Sequence, residues 1–179
     1  MAAPRTIVGP IPEGQDPEAY DRLRRRVLWS MPTGLYVMGS RHEDRQNLMT
    51  LDWATQVATE PKLVAVSVDQ AARTAELVAA GGVFALSLLD RSDRAIVRKF
   101  VKPVERRDDG TLNGFPVWQA ATGAPILERA VAWLDCEVRQ GIDVGSHTVF
   151  LGEVVHAGAT GEEELPVLRM EDTRMSYGG

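Results

Sequence analysis

The chain has 179 residues, 44% of them hydrophobic and 25% charged, the make-up of a folded domain and not of a disordered or fibrous chain. A formal net charge of -5 argues against a general nucleic-acid or anionic-membrane surface, which needs clustered positive charge. A single cysteine, Cys136, excludes an intrachain disulfide and a thiolate zinc cluster, and with no leader-like start and no apolar run near the roughly 20 residues that span a bilayer, the expected location is the reducing cytoplasm.

Residues 1–15, with Pro4, Gly9, Pro10, Pro12 and Gly14, read as an extended arm, and residues 16–179 as one domain. Asp16-Pro17-Glu18 supplies an N-cap, a proline at the first helical position and an early acid, so a helix is predicted through Tyr20, Leu23, Val27 and Leu28, ending before Pro32. Its arginines, Arg22, Arg24, Arg25 and Arg26, read as a solvated face. Gly34 to Ser40 is the first predicted strand, and Arg41 to Gln46 a charged loop.

From Asn47 to Ala58, apolar Met49, Leu51, Trp53 and Val57 alternate with Thr50, Asp52, Ala54 and Gln56, the period of a half-buried strand. After Pro61 the β-branched run Leu63 to Val68 predicts a strand covered on both faces. Asp69 to Gly82 reads as a short helix with a glycine stop, Val83 to Leu89 as a buried strand, and Ser92-Asp93 as the cap of a helix through Phe100 that ends at Pro103. Glu105 to Gly114 reads as a mobile surface loop. Val131 to Val138 and Thr148 to Val155 predict an antiparallel hairpin around Gly145-Ser146-His147, and a tail follows with Leu165, Val167, Leu168 and Tyr177. Many short strands with inserted helices point to a closed β-barrel of α+β class, mainly β.

Arg73 and Thr74, in the first turns of a predicted helix, suit a phosphate: a guanidinium fork, a hydroxyl and free backbone amides converge there. Lys102 is a weaker third partner, whereas Arg98 and Lys99 read as solvated. His147, alone in its turn, is either a surface residue or a neutral-pH donor. Cys136 shares a strand face with Leu134 and Val138 and reads as a small buried hydrophobe. No Walker loop, His-Glu-x-x-His, Gly-x-Gly-x-x-Gly or Gly-x-Ser-x-Gly motif is present.

The stretch from Asn47 to Pro61, through Asn47, Met49, Thr50, Trp53, Val57 and Pro61, resembles the flavin reductases of the FMN-binding split-barrel superfamily. Leu48, Asp52 and Ala58 depart from that pattern. Gly145-Ser146-His147 is similar to the family's Gly-Asp-His turn, with Ser146 in place of the acid. The resemblance covers Met31 to Val155 and, more loosely, Pro166 to Tyr177. It implies a split β-barrel, antiparallel and Greek-key-like, with short flanking helices. It also implies FMN, or FAD in its place, reduced by NADH or NADPH.

On this resemblance the flavin contacts fall on Asn47, Met49, Thr50, Leu51, Asp52, Trp53, Ala54 and Thr55, on Ser67 and Val68, on Arg73 and Thr74, and on Phe100 and Lys102. His147 takes the catalytic position on the nicotinamide side. Trp53 either stacks on the ring or fills the core. Asp52 stands out, because a carboxylate beside an anionic cofactor is unfavourable unless it points away or bonds the ring's polar edge. The family further implies a homodimer with flavin near the subunit interface, and reduced flavin supplied to an acceptor or partner monooxygenase. No metal is called for. Two alternatives stay open. One is a split barrel using deazaflavin or haem, with His42, His147, His156 or Cys136 as axial ligand. The other is a non-catalytic flavin-binding or dimerisation module.

Overall fold

A computed structural model describes residue 7 and residues 9–161 and 165–173; Tyr177 and most of the first eight residues of the expected arm lie outside them. Helix α1 (Pro17–Trp29) starts where the sequence places it. Asp16 is extended at φ -67°, and its carboxylate accepts the Ala19 N–H at 2.8 Å. None of its residues is buried, and it lies in a compact unit separate from that of Thr33–Thr173. No helix among the described residues is long and apolar enough to cross a membrane.

The second unit is built on seven antiparallel strands in the order β2-β1-β5-β8-β9-β4-β3. They are β1 (Tyr36–His42), β2 (Arg45–Leu51), β3 (Ala54–Thr59), β4 (Lys62–Asp69), β5 (Val83–Leu88), β8 (Ala132–Asp143) and β9 (His147–Ala159); a separate hairpin pairs β6 (Val117–Gln119) with β7 (Pro125–Leu127). The two edges of the large sheet, β2 and β3, are consecutive in the chain and do not pair with each other. That gap is the split of a split barrel. One core cluster includes Met38, Leu51, Val66, Val68, Phe84, Leu86, Cys136 and Phe150, each large apolar side chain contributing about 1.5–3 kcal/mol by leaving water. Gly39 permits the β6–β7 hairpin to pack against β1, since a Cβ there would lie 1.8 Å from the Pro125 carbonyl oxygen.

Several elements differ from the sequence expectation. The single strand expected from Asn47 to Ala58 is broken at Asp52-Trp53, because this corner carries the chain from one edge of the split to the other. Helix α2 (Arg73–Gly81) begins four residues later than Asp69. The Asp69 carboxylate accepts the Ala71 N–H at 2.8 Å, which closes a turn first. The helix expected after Ser92-Asp93 is two 3-10 segments, Arg91–Asp93 and Ile96–Phe100, and the first is capped by Asp90. The 105–114 loop is pinned, with Glu105 N–H on the Asn113 side chain at 3.0 Å and Leu112 fully buried. The β6–β7 hairpin has no counterpart in the expectation; its strands are too short for periodicity to register.

Candidate functional site

Strand β2, α2 and the 96–104 segment meet around Asn47. This side chain is 3% exposed; its amide donates to Thr74 Oγ1 at 2.9 Å and its carbonyl accepts the Val104 N–H at 3.0 Å. An amide is suited to this position because it offers separate donor and acceptor ends without carrying charge. Three residues on, the Thr50 hydroxyl donates to the Val97 carbonyl. The 96–104 segment is thus tied at both ends to one strand.

Beside Thr74, Arg73 has a buried Nε with no hydrogen-bond partner among the described residues. The residue before α2, Ala72, has no side chain to cap the helix; the Ala75 N–H is taken by the Ala72 carbonyl at 3.0 Å, so the Arg73 and Thr74 N–H groups keep their demand for an acceptor. An orphaned guanidinium donor and an uncapped helix start together fit an anionic group such as a phosphate.

The second part of the site is the corner between β2 and β3. Trp53 keeps its place through its carbonyl, which accepts the Ser67 N–H at 3.0 Å. Its indole lies 5.0 Å from the His147 imidazole, with the planes at 47°. His147 opens β9 opposite Asp69 of β4, and its Nδ1 is 2.8 Å from Ser146 Oγ. Asp52 is only 5% exposed. Burial raises its carboxyl above the usual range, opposed by backbone N–H groups at Asp52 and Trp53 and by His147. A cleft of about 610 Å³ between α2 and the β8–β9 hairpin is lined by Ala75, Val78, Phe150, Gln70, Arg139 and Asp143 among others, and none of the expected site residues lines it. That is within the size range of small-molecule sites.

The expected site residues therefore fall into distinct settings. Asn47 and Thr74 are in direct contact, and so are the rings of Trp53 and His147. Met49, Thr50, Trp53, Ala54, Ser67 and Arg73 are half-buried, while Thr55 and Lys102 are exposed. The side chains of Leu51 and Val68 belong to the core, which leaves their backbone groups as the available contacts. Phe100 is fully buried, its ring 5.2 Å from that of Phe115, so it anchors its segment instead of presenting a face. Sequence reasoning missed Val97 and Val104, which act through main-chain atoms and leave no residue-type signal. It also missed the Arg106 bond to Gln46 at 2.9 Å, which links residues 60 apart in the chain. The other residues named as axial ligands are dispersed: His156 packs on Trp133 at 5.0 Å, and Cys136 is buried with its thiol pushed up to about 12 by burial and by Asp135.

A family model described as flavin reductase like domain matches residues 28–177. The NADH-dependent FAD reductase of Streptomyces globisporus is 32% identical over 155 residues, which cover 84% of this chain and 82% of that one. The solved structure of a Streptomyces globisporus NADH:FAD oxidoreductase in complex with NAD and FAD fragments aligns with a TM-score of 0.68 at 30% identity, over 83% of this chain and 87% of that one. For the styrene monooxygenase flavin reductase of Pseudomonas putida the TM-score is 0.64 at 30% identity, over 77% and 86%. A match to a diflavin flavoprotein of Nostoc, 28% identical over 134 residues, takes in 74% of this chain but spans only 23% of that longer protein.

Proposed function

The chain belongs to the family of the flavin reductase like domain, and on that premise we propose that it oxidises NADH or NADPH, reduces FMN or FAD, and supplies the reduced flavin to a partner monooxygenase. The observation that carries the reading is the unpartnered, buried Nε of Arg73 at the uncapped start of α2. The names of relatives support the donor, the flavin and the partner: they include an NADH-dependent FAD reductase and a styrene monooxygenase flavin reductase. NADH is accordingly the favoured donor.

When bound, the flavin supplies the hydride-accepting chemistry. The chain's own part is to bind, orient and exclude water. Arg73, with the main-chain N–H groups of Arg73 and Thr74 at the start of α2, would hold the phosphate. Asn47 keeps Thr74 and Val104 in place behind it. The backbone from Leu51 to Ala54 offers donors and acceptors to the polar edge of a ring, and Trp53 supplies an apolar wall. His147, oriented by Ser146 and packed on Trp53, would position the nicotinamide end. Strand β3 lies at an edge of the sheet with Val57 50% exposed, which supports a second copy covering that edge as a homodimer.

The test is an absorption spectrum of the purified protein with FMN and with FAD, followed by anaerobic addition of NADH or NADPH. Flavin bands that shift on binding and bleach with a nicotinamide uphold the proposal and settle the donor. Bound flavin that stays oxidised with both donors rejects the reductase reading.

A further inference from the structure

Residues 91–107 hold seven of the chain's 20 cations and two of its 25 acids. The segment is therefore +5 within a chain of net charge -5, the reverse of the local average. Its geometry separates greasy anchors from charge: Ile96, Val97, Phe100 and Val104 are buried, while Arg98, Lys99 and Lys102 are exposed. Both ends are fixed to β2, at the Val97 carbonyl by Thr50 and at the Val104 N–H by Asn47. The middle is held where Asn113 donates to the Lys99 carbonyl at 3.4 Å.

The three exposed cations have no carboxylate partner among the described residues, and two acids that meet the segment are already paired. Asp93 is taken by Arg129 at 2.6 Å and Asp172 by Arg91 at 3.2 Å. Among the described residues Arg98, Lys99 and Lys102 form no ion pair. A solvated face of an acidic protein would be expected to intersperse signs; here three cations are collected on a backbone strapped to two residues of the site.

We propose that Arg98 and Lys99, exposed on the same strapped segment as Lys102, form a grip for the adenosine-diphosphate portion of a dinucleotide whose ring end lies in the candidate site. A dinucleotide carries two linked phosphates, and cations carried on a segment whose backbone is already fixed answer that charge with only side-chain ordering as the cost. FMN has no second phosphate to reach the grip. The grip would therefore distinguish FAD from FMN, or hold the nicotinamide dinucleotide, and in either case it rests on the proposed reductase function.

The experiment titrates FMN, FAD and ADP alone into the wild-type protein and into Arg98→Gln/Lys99→Gln by calorimetry at low salt, and measures the KM for NADH in both. The double variant keeps Lys102 and changes only exposed side chains. The expected result is ADP binding that the variant loses, with FMN affinity held within about twofold and the dinucleotide weakened about tenfold, or about 1.4 kcal/mol. Weakened FAD with unchanged NADH assigns the grip to the flavin; the converse assigns it to the nicotinamide dinucleotide. An Arg98→Lys/Lys99→Arg exchange restores binding, since the charges are kept. Unchanged affinities for ADP, FAD and NADH overturn the grip. Failure of the wild type to bind FMN or FAD while ADP binding still depends on Arg98 and Lys99 would instead overturn the reductase reading and leave the grip standing.

Discussion

Replacing Asn47 by alanine tests whether one buried amide organises the site. The side chain makes two hydrogen bonds, to Thr74 and Val104, each contributing about 1 kcal/mol net in a folded protein. Its loss also strands the Val104 N–H, and an unsatisfied buried group costs about 1–3 kcal/mol. Together with some entry of water, the loss should come to about 2–4 kcal/mol, or about 6–12 °C in melting temperature for a domain of this size. Urea unfolding gives the free energy directly, and flavin titration on the same samples reports the site. Thr74→Val is the control, because it removes the acceptor of one bond and leaves the Val104 bond in place. It should cost about half as much. An Asn47→Ala change below about 0.5 kcal/mol, the range of a neutral surface substitution, would refute the bridge as an organising element.

Other perturbations address separate parts of the molecule. Arg73→Gln should weaken FMN by about ten- to hundredfold, the loss of a charged hydrogen bond, with riboflavin unaffected; equal losses for both would detach Arg73 from the phosphate. His147→Asn should lower NADH turnover at least about tenfold through lost orientation while flavin affinity holds, and an unchanged kcat/KM would remove His147 from the reaction. Burial raises the Asp52 carboxyl, so the stability it gives is fully present below the ordinary carboxylate range and is lost as pH rises through the folded value. Asp52→Asn should therefore gain on the wild type as pH rises above about 4, the ordinary carboxylate range, and urea midpoints that stay parallel from there upward would contradict this. The Cys136 thiol, pushed up to about 12 in a fully buried position, should resist iodoacetamide in the native protein and react on unfolding in urea; rapid native alkylation would show that the barrel opens.

Much of the fold was legible because it is written in local chemistry. The Asp16-Pro17 start of α1, the glycine stop of α2 and the β8–β9 hairpin around Gly145 depend on residues a few positions apart. The break at Asp52-Trp53 was not legible. Alternation runs unbroken through those residues, and only the need to cross from one edge of the split to the other turns the chain there. The late start of α2 and the Asp90 cap are decided by which of several competent Asp and Ser side chains the surrounding packing leaves in reach.

For the site, the sequence by itself determined the residue types: an amide at 47, hydroxyls at 50 and 74, a guanidinium at 73 and an imidazole at 147, in an order that resembles flavin reductases. What only the tertiary structure decided is how these are used. It joined Asn47 to Thr74 and to the main chain at Val104, set Trp53 on His147, and turned Phe100 inward. It also left Arg73 with a buried donor and, among the described residues, Arg98, Lys99 and Lys102 without acid partners. The physical reason is range. Capping and periodicity act over a few residues, whereas hydrogen-bond satisfaction, burial and charge pairing depend on partners that fold in from 27, 57 or more positions away.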